Sequence, residues 1–361
     1  MEKILPQTSA VFIAGGGWAG LSCAIRLKQH GFSTQLFEAS RQLGGRARCT
    51  KYNDLILDNG QHILSGACKE TLDLFQLLGM KEKDYLTRQP LKLDLLRINK
   101  QLINKNSIKQ NDLHIHPANL PAPLHLLFGF INAKTITFKD KYHLIKFFIL
   151  LKLQNYHIKN DNSLLTILKK HHQSQYIIDQ FWEPLCLAIM NTPIKIASTK
   201  IFFNVLRDSF SGKKQNSDLL LFSKPLCATL PQNAVQFLTG SIHLNSRIDS
   251  ILIKNNQVTG IKVGQQKLNC SKLILSTPVH ITAKLLAEHQ ECLSLVKSLQ
   301  KIDYQPIYTL YLYYQQQFEL PQYMTGILNG YSQWVFDKRF SQQKGLLAVI
   351  ISGPGKHQKL T

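Results

Sequence analysis

The chain has 361 residues, 44% of them hydrophobic and 18% charged, a composition that suits about two folded domains and excludes a disordered protein. Lys and Arg number 43 against 22 Asp and Glu, a net charge of +21 that points to an anionic membrane surface, to nucleic acid, or to a proteome-wide basic bias. No zinc-finger, RRM-like or basic-zipper pattern accompanies the charge, which removes nucleic acid from the expected partners.

From the N-terminus, "MEKILPQTSA" leads almost at once into a predicted strand and leaves no room for a signal peptide's apolar core and cleavage site. No apolar run approaches the ~18 residues needed to cross a bilayer. A soluble or surface-attached protein of the cytoplasm is expected. The seven cysteines (Cys23, Cys49, Cys68, Cys186, Cys227, Cys270, Cys292) are scattered, odd in number and without a CxxC pair. That argues against a zinc site and a disulfide framework, and suits a reducing compartment. No metal is expected.

Residues 10–14 read as a short buried strand, and "GGGWAG" (15–20) follows directly. Leu21, Ala24 and Ile25 then fall at helical spacing, with Gly31 as the C-cap. Gly15, Gly17 and Gly20 thus occupy a strand–turn–helix. The first allows the tight turn, the second lets a pyrophosphate approach the backbone, and the third packs helix against strand. The diphosphate belongs at the positive helix N-terminus. A second strand over residues 34–37 ends at Glu38, 18 positions after Gly20. A carboxylate there accepts hydrogen bonds from ribose hydroxyls and repels a 2′-phosphate. NAD and FAD both fit to this point.

"RQLGGRAR" (41–48) separates them. Plain nicotinamide dehydrogenases normally carry a helix here. In two-dinucleotide-binding flavoproteins a second Gly-Gly-Arg turn, Gly45 and Arg46 in this chain, lies against the same pyrophosphate, and the arginine supplies charge-assisted hydrogen bonds. FAD is the expected cofactor. Further on, "SRIDSILIKNNQVTGIKV" (246–263) alternates apolar and polar residues around Asn255-Asn256 and reads as a β-hairpin; "KLILSTP" (272–278) is a buried strand. Such a unit returns the chain to the nucleotide domain in this flavoprotein class, where the residue corresponding to Ile248 commonly meets the adenine through its backbone.

Six blocks extend the pattern: "LDNGQHILSGA" (57–67), "PAPLHLL" (121–127), "WEPLCLAIMNTP" (182–193), "FFNVLRDSF" (202–210), "QWVFD" (333–337) and "AVIISG" (348–353). In order and rough spacing the chain resembles the FAD-dependent squalene-associated desaturases, or hydroxysqualene dehydroxylases of hopanoid biosynthesis, within the amine oxidase and phytoene desaturase superfamily. The resemblance covers nearly the whole chain. It implies an α/β fold: a Rossmann-like FAD-binding domain with an inserted α+β substrate domain. It also implies reduction of a C30 isoprenoid alcohol, hydroxysqualene, to squalene, with an electron donor that the sequence does not identify. An allylic C–OH ionises when its oxygen is protonated, and the cation accepts hydride from reduced flavin, so an acid must stand near the oxygen. Asp58 and His62 by analogy lie next to the flavin, and Glu183 and Asp208 lie in substrate-side blocks; each also suits a structural hydrogen bond, and no catalytic residue is assigned. Trp182 and Trp334 suit stacking on a polyene or packing in the core.

The FAD-binding domain is expected over 1–80 and 235–285, and the substrate domain over 81–234 and 286–361. "DKYHLIKFFILLKLQNYHIK" (140–159), apolar with interspersed lysines, reads as an amphipathic helix lying at a membrane interface or as a buried helix with solvated lysines. An insoluble substrate favours the first, with the protein peripheral on the inner face of the cytoplasmic membrane. By the resemblance a further segment, with a Gly-Asp pair and a helix against the flavin ring, is expected beyond Thr361, and a chain without it is expected to be nearly inactive. A carotenoid-type desaturase and a non-catalytic scaffold are the competing readings.

Overall fold

Val11–Ala14 is a run of four apolar residues, all buried, because it is hydrogen-bonded in parallel on both sides, to Thr34–Phe37 and to Leu273–Leu275. A central parallel strand has no solvent face, which is why it reads as continuous hydrophobic sequence. The computed structural model describes residues 10–97, 112–118, 120, 124–210, 212–316 and 318–359, without the side chains of 124–127, 356 and 359. The block at 121–127 therefore lies outside the described residues, apart from a helical backbone from Leu124.

The chain divides into two units. The first comprises Met1–Asn59, Glu70–Tyr85 and Lys224–Tyr304. Its parallel sheet runs Ile242–His243, Thr34–Phe37, Val11–Ala14, Leu273–Leu275. Helix Trp18–Gln29 connects the first two strands in sequence and buries Leu21, Ala24 and Ile25 completely. Each large apolar side chain so buried contributes about 1.5–3 kcal/mol. The helix stops in a Schellman pattern: Phe32 N–H donates to Leu27 O and Gly31 N–H to Lys28 O, with Gly31 at φ +81°. Beside this sheet is the antiparallel set Ile248–Lys254, Gln257–Val263, Gln266–Asn269. Asn255 and Asn256 are both left-handed, the conformation a two-residue hairpin turn needs. Phe12, Phe37, Ile251, Ile261 and Leu286 meet in one core.

The second unit comprises Gly60–Lys69, Leu86–Ser223 and Gln305–Thr361. Its six-stranded sheet runs Ile307–Tyr313, Leu346–Ser352, Trp334–Asp337, Met324–Ile327, Leu93–Leu96, Leu113–Ile115. All pairings are antiparallel except that of Met324–Ile327 with Leu93–Leu96. Helices Phe138–Leu153, Glu183–Met190 and Thr199–Phe210 pack an aromatic core in which Trp182, Phe147 and Phe202 are fully buried. The mixed α/β fold with a parallel nucleotide-type sheet is the one expected.

Two expectations are corrected. The stretch 140–159 is helical only as Phe138–Leu153, because Asn155 and Tyr156 take left-handed conformations and the Tyr156 ring folds back into the core. Among the cysteines, Cys49 and Cys227 form a disulfide, their Cα atoms 5.6 Å apart across a sequence separation of 178. Only the fold brings them together; the other five are free.

Candidate functional site

In the first unit the two glycine turns lie against each other. Gly44 N–H donates to Gly16 O at 2.8 Å, and Gly17 and Gly44 form a parallel bridge. Gly15 takes φ +105°, a conformation side chains disfavour. Gly20 has no room for a side chain, since a Cβ there would overlap the Gly15 carbonyl. Gly17 differs. A Cβ there would meet no protein atom nearer than the Gly45 Cα at 3.9 Å, so packing within the protein does not require glycine. A Cβ on Gly45, in turn, would lie 3.1 Å from the Gly17 Cα. The two turns thus touch at Gly45 and leave a cradle beside Gly17 that a side chain would fill.

The cradle opens onto the N-terminus of Trp18–Gln29, where Gly17 is an extended N-cap without a side-chain cap and the first turn has no acidic residue. The leading N–H groups and positive dipole end of such a helix suit an anion. Glu38 closes the second strand and holds the loop: its Oε2 accepts from Gly16 N–H at 2.6 Å and its Oε1 from Ser40 N–H at 2.8 Å. Each carboxylate oxygen keeps a second acceptor position for a ribose hydroxyl. Arg46 is exposed, and its guanidinium makes no ion pair among the described residues; its carbonyl accepts from Asn59 Nδ2. Ile248 begins the hairpin just after a segment that follows the end of the second strand, with Glu38 N–H to His243 O and Ser246 N–H to Glu38 O. Four of the seven expected cofactor residues thus lie in the two paired turns, Gly20 lies in the first turn of the helix they lead into, and the segment before Ile248 bonds to Glu38.

Sequence reading missed two supports. Ser276, in the expected "STP" ending, donates from Oγ to Ala14 O at 2.7 Å and is 3.0 Å from Gly15 O, pinning the first turn. The Cys49–Cys227 disulfide ties the chain just after the second turn to the segment whose Leu226 N–H donates to Asp58 Oδ1. Asp58 is buried with a structural partner.

In the second unit, one turn of π-helix, Ile178–Trp182, runs directly into the helix opened by Glu183. Such turns are rare and frequent at functional sites. Burial pushes the Glu183 carboxyl above the usual carboxylate range; the Asp179 charge adds to this, while the Ile194 N–H and Lys195 oppose it. Burial, with the Glu183 charge beside it, also pushes the Cys186 thiol up to about 12, so that thiol is inert. Trp182 is core, its Nε1 donating to Gln173 Oε1 at 3.1 Å, and Trp334 is buried in the same core. Asp208 is exposed and paired with Arg207 at 2.9 Å, and His62 Nδ1 stands 3.1 Å from Gly60 O. A small apolar cavity in the core, with room for about one water molecule, is lined by Leu91, Leu93, Ile115, Phe130, Phe181, Leu185 and Phe210. Phe181 and Leu185 flank Glu183 in sequence. The buried Lys338, unmarked by any motif, donates to Gln61 Oε1 at 3.2 Å.

A glycine loop opening the first helix of a parallel sheet, a second glycine turn bonded to it, and an acidic residue closing the second strand define a dinucleotide-binding unit of flavoprotein type. Residues 18–361 match the family described as flavin containing amine oxidoreductase, and the chain belongs to that family. Its cofactor class is a flavin. The chain is 25% identical over 322 residues to the 15-cis-phytoene desaturase of Glycine max, covering 85% of this chain and 54% of that protein. It is 41% identical over 62 residues to the hydroxysqualene dehydroxylase of Rhodopseudomonas palustris, 16% of this chain and 14% of that protein. An oxidoreductase structure from Methanosarcina mazei shares the fold at TM-score 0.72 and 15% identity, over 97% of this chain and 81% of that one. The chain spans about half the length of the phytoene desaturase it matches.

Proposed function

We propose that this chain binds FAD and reduces hydroxysqualene to squalene while held on an anionic membrane surface. The observation that carries the cofactor reading is the pairing of the two glycine turns, with Gly17 a glycine although no protein atom crowds its Cβ position. Gly17, Gly45 and the N–H groups of Trp18–Gln29 would hold the pyrophosphate, Arg46 its charge and Glu38 the ribose. Reduced FAD, when bound, supplies the hydride. The protein's own part is to orient the isoprenoid, exclude water and protonate the leaving hydroxyl.

Glu183 suits the last task. Among the described carboxyl groups with displaced titration it is the one displaced upward, and it opens the helix that follows the π-helical turn. A carboxyl that burial holds above the usual range would give its proton to the C–OH oxygen, and the C–O bond would break with loss of water. The local 41% identity to a hydroxysqualene dehydroxylase supports this substrate.

The match to phytoene desaturase over 85% of the chain favours a second reading, oxidation of a carotenoid precursor. Product analysis separates the two. Flavin-loaded, chemically reduced protein extended by a family-type segment after Thr361 should convert hydroxysqualene to extractable squalene in a single turnover and leave phytoene unchanged under oxidising conditions. Desaturated phytoene with no squalene would reverse the assignment.

A further inference from the structure

At the edge of the six-stranded sheet, strands Leu93–Leu96 and Leu113–Ile115 pair antiparallel, with Leu93 opposite Ile115, Asp94 opposite His114 and Leu95 opposite Leu113. Alternation sends Leu93, Leu95, Leu113 and Ile115 into the core. It therefore sends Asp94 and His114 to the outer face, and His116, two residues on, joins them. The two imidazoles are half exposed, at 51% and 50%, while the Asp94 side chain is 12% exposed.

The three side chains converge closely. His114 Nδ1 lies 2.6 Å and His116 Nε2 lies 2.7 Å from the same oxygen, Asp94 Oδ1. The three candidate ligand atoms all fall within 4.8 Å of one another.

We propose that Asp94, His114 and His116 bind one divalent transition-metal ion, of which zinc is the best suited. Two imidazole nitrogens and one carboxylate oxygen form a borderline donor set, which selects zinc, cobalt, nickel or copper over the oxygen-seeking magnesium and calcium. A tetrahedral ion with bonds of about 2.0–2.2 Å places its donors about 3.3 Å apart. Opening the present oxygen–nitrogen distances to that value needs only small rotations of two half-exposed rings. Three protein ligands leave a position for water. The scattered cysteines that argued against zinc do not bear on a site made of imidazole and carboxylate. Bound there, the ion cross-links the last two strands of the sheet and stabilises that edge.

Tag-free protein, stripped with chelator, would be titrated with Zn²⁺ by equilibrium dialysis and calorimetry. The expected result is one equivalent of zinc that is absent from H114A/H116A, and a zinc-dependent rise in melting temperature that the variant also loses. Loss of a single direct ligand, in H114A or D94N, should weaken binding by at least the roughly 10- to 100-fold that loss of an outer-shell partner costs. Co²⁺ should give the visible bands of a tetrahedral site in the wild type alone. Circular dichroism checks the double variant; if it fails to fold, D94N decides by the same measures. Equal zinc stoichiometry in wild type and folded variant, or no zinc retained by the wild type, overturns the proposal.

Discussion

In the first unit the paired glycine turns make a site by leaving side chains out, whereas in the second unit Glu183 is tuned by what is packed around it. The cradle's polar groups are backbone N–H groups, fixed in direction by the turn at Gly15 and by helix Trp18–Gln29. The Glu183 carboxyl owes its raised affinity for a proton to burial beside a π-helical turn. The first kind of site is resistant to side-chain exchange around it and intolerant of a single added carbon. The second depends on long-range packing and is sensitive to charge.

The largest expected effect tests the first half of that contrast. Gly17→Val should abolish FAD binding, because its side chain enters the space a pyrophosphate needs. It should leave the fold intact at a cost of about 1 kcal/mol for a valine at a helix N-cap, since Gly17 is extended and a Cβ there meets nothing nearer than 3.9 Å. Gly20→Ala is the opposite case: its Cβ overlaps the Gly15 carbonyl, and it should destabilise the apoprotein by roughly 1–3 kcal/mol or more. Flavin absorbance after reconstitution and thermal melting of the apoproteins read both. A normal flavin spectrum in Gly17→Val removes the assignment of the cradle.

Next in size is Glu183→Gln, expected to slow single-turnover squalene formation by about 100- to 10,000-fold, the usual worth of a general acid. The protonated carboxyl is the active form, so the wild-type rate should fall as pH rises through a value above the ordinary glutamate range. That dependence should vanish in the variant. Stability follows the same sign. A raised carboxyl favours the folded state fully below its ordinary value and loses that contribution as pH rises through the raised one, so the variant should gain on the wild type toward alkaline pH. An unchanged rate and pH profile in a folded Glu183→Gln would leave Glu183 a structural cap.

The two regions also differ in how far they can be read from sequence. The strands around Val11–Ala14 and Thr34–Phe37, helix Trp18–Gln29 and the hairpin turning at Asn255-Asn256 follow from local rules, and the structure has them where periodicity and turn chemistry put them. The reason is physical: glycines and short apolar runs constrain the backbone within a few residues. Ser276, Cys227 and Lys338 act across 262, 178 and 277 positions, and no local pattern announces such partners. The "HIH" at 114–116 is visible as a pair, yet its meaning depends on Asp94 and on a strand register that only the sheet supplies. The end of the Phe138–Leu153 helix escaped for another reason. Apolar residues continue past it, but Asn155 and Tyr156 turn the backbone left-handed.

That helix gives the smallest expected effect and the sharpest test of the membrane proposal. Phe138 is 91% and Leu153 80% exposed, and Tyr142 and Ile149 continue the same exposed apolar set, an arrangement a water-facing helix has no reason to keep. Lys139, Lys146 and Lys152 are exposed among them. Lys141 Nζ stands 5.6 Å over the Phe138 ring and Lys146 Nζ 5.9 Å over the Tyr142 ring, so charge and apolar surface are interleaved as an anionic interface requires. Each lysine near the surface should contribute about 1 kcal/mol, so Lys146→Gln should reduce partitioning onto phosphatidylserine vesicles by about fivefold at low salt. The difference should shrink as the Debye length falls to about 3 Å at 1 M salt, while the apolar contribution of Phe138 and Leu153 remains. Leu153→Glu should therefore weaken binding at every ionic strength. Flotation that is absent at low salt, or unaltered by both substitutions, would mean that this face does not meet a membrane.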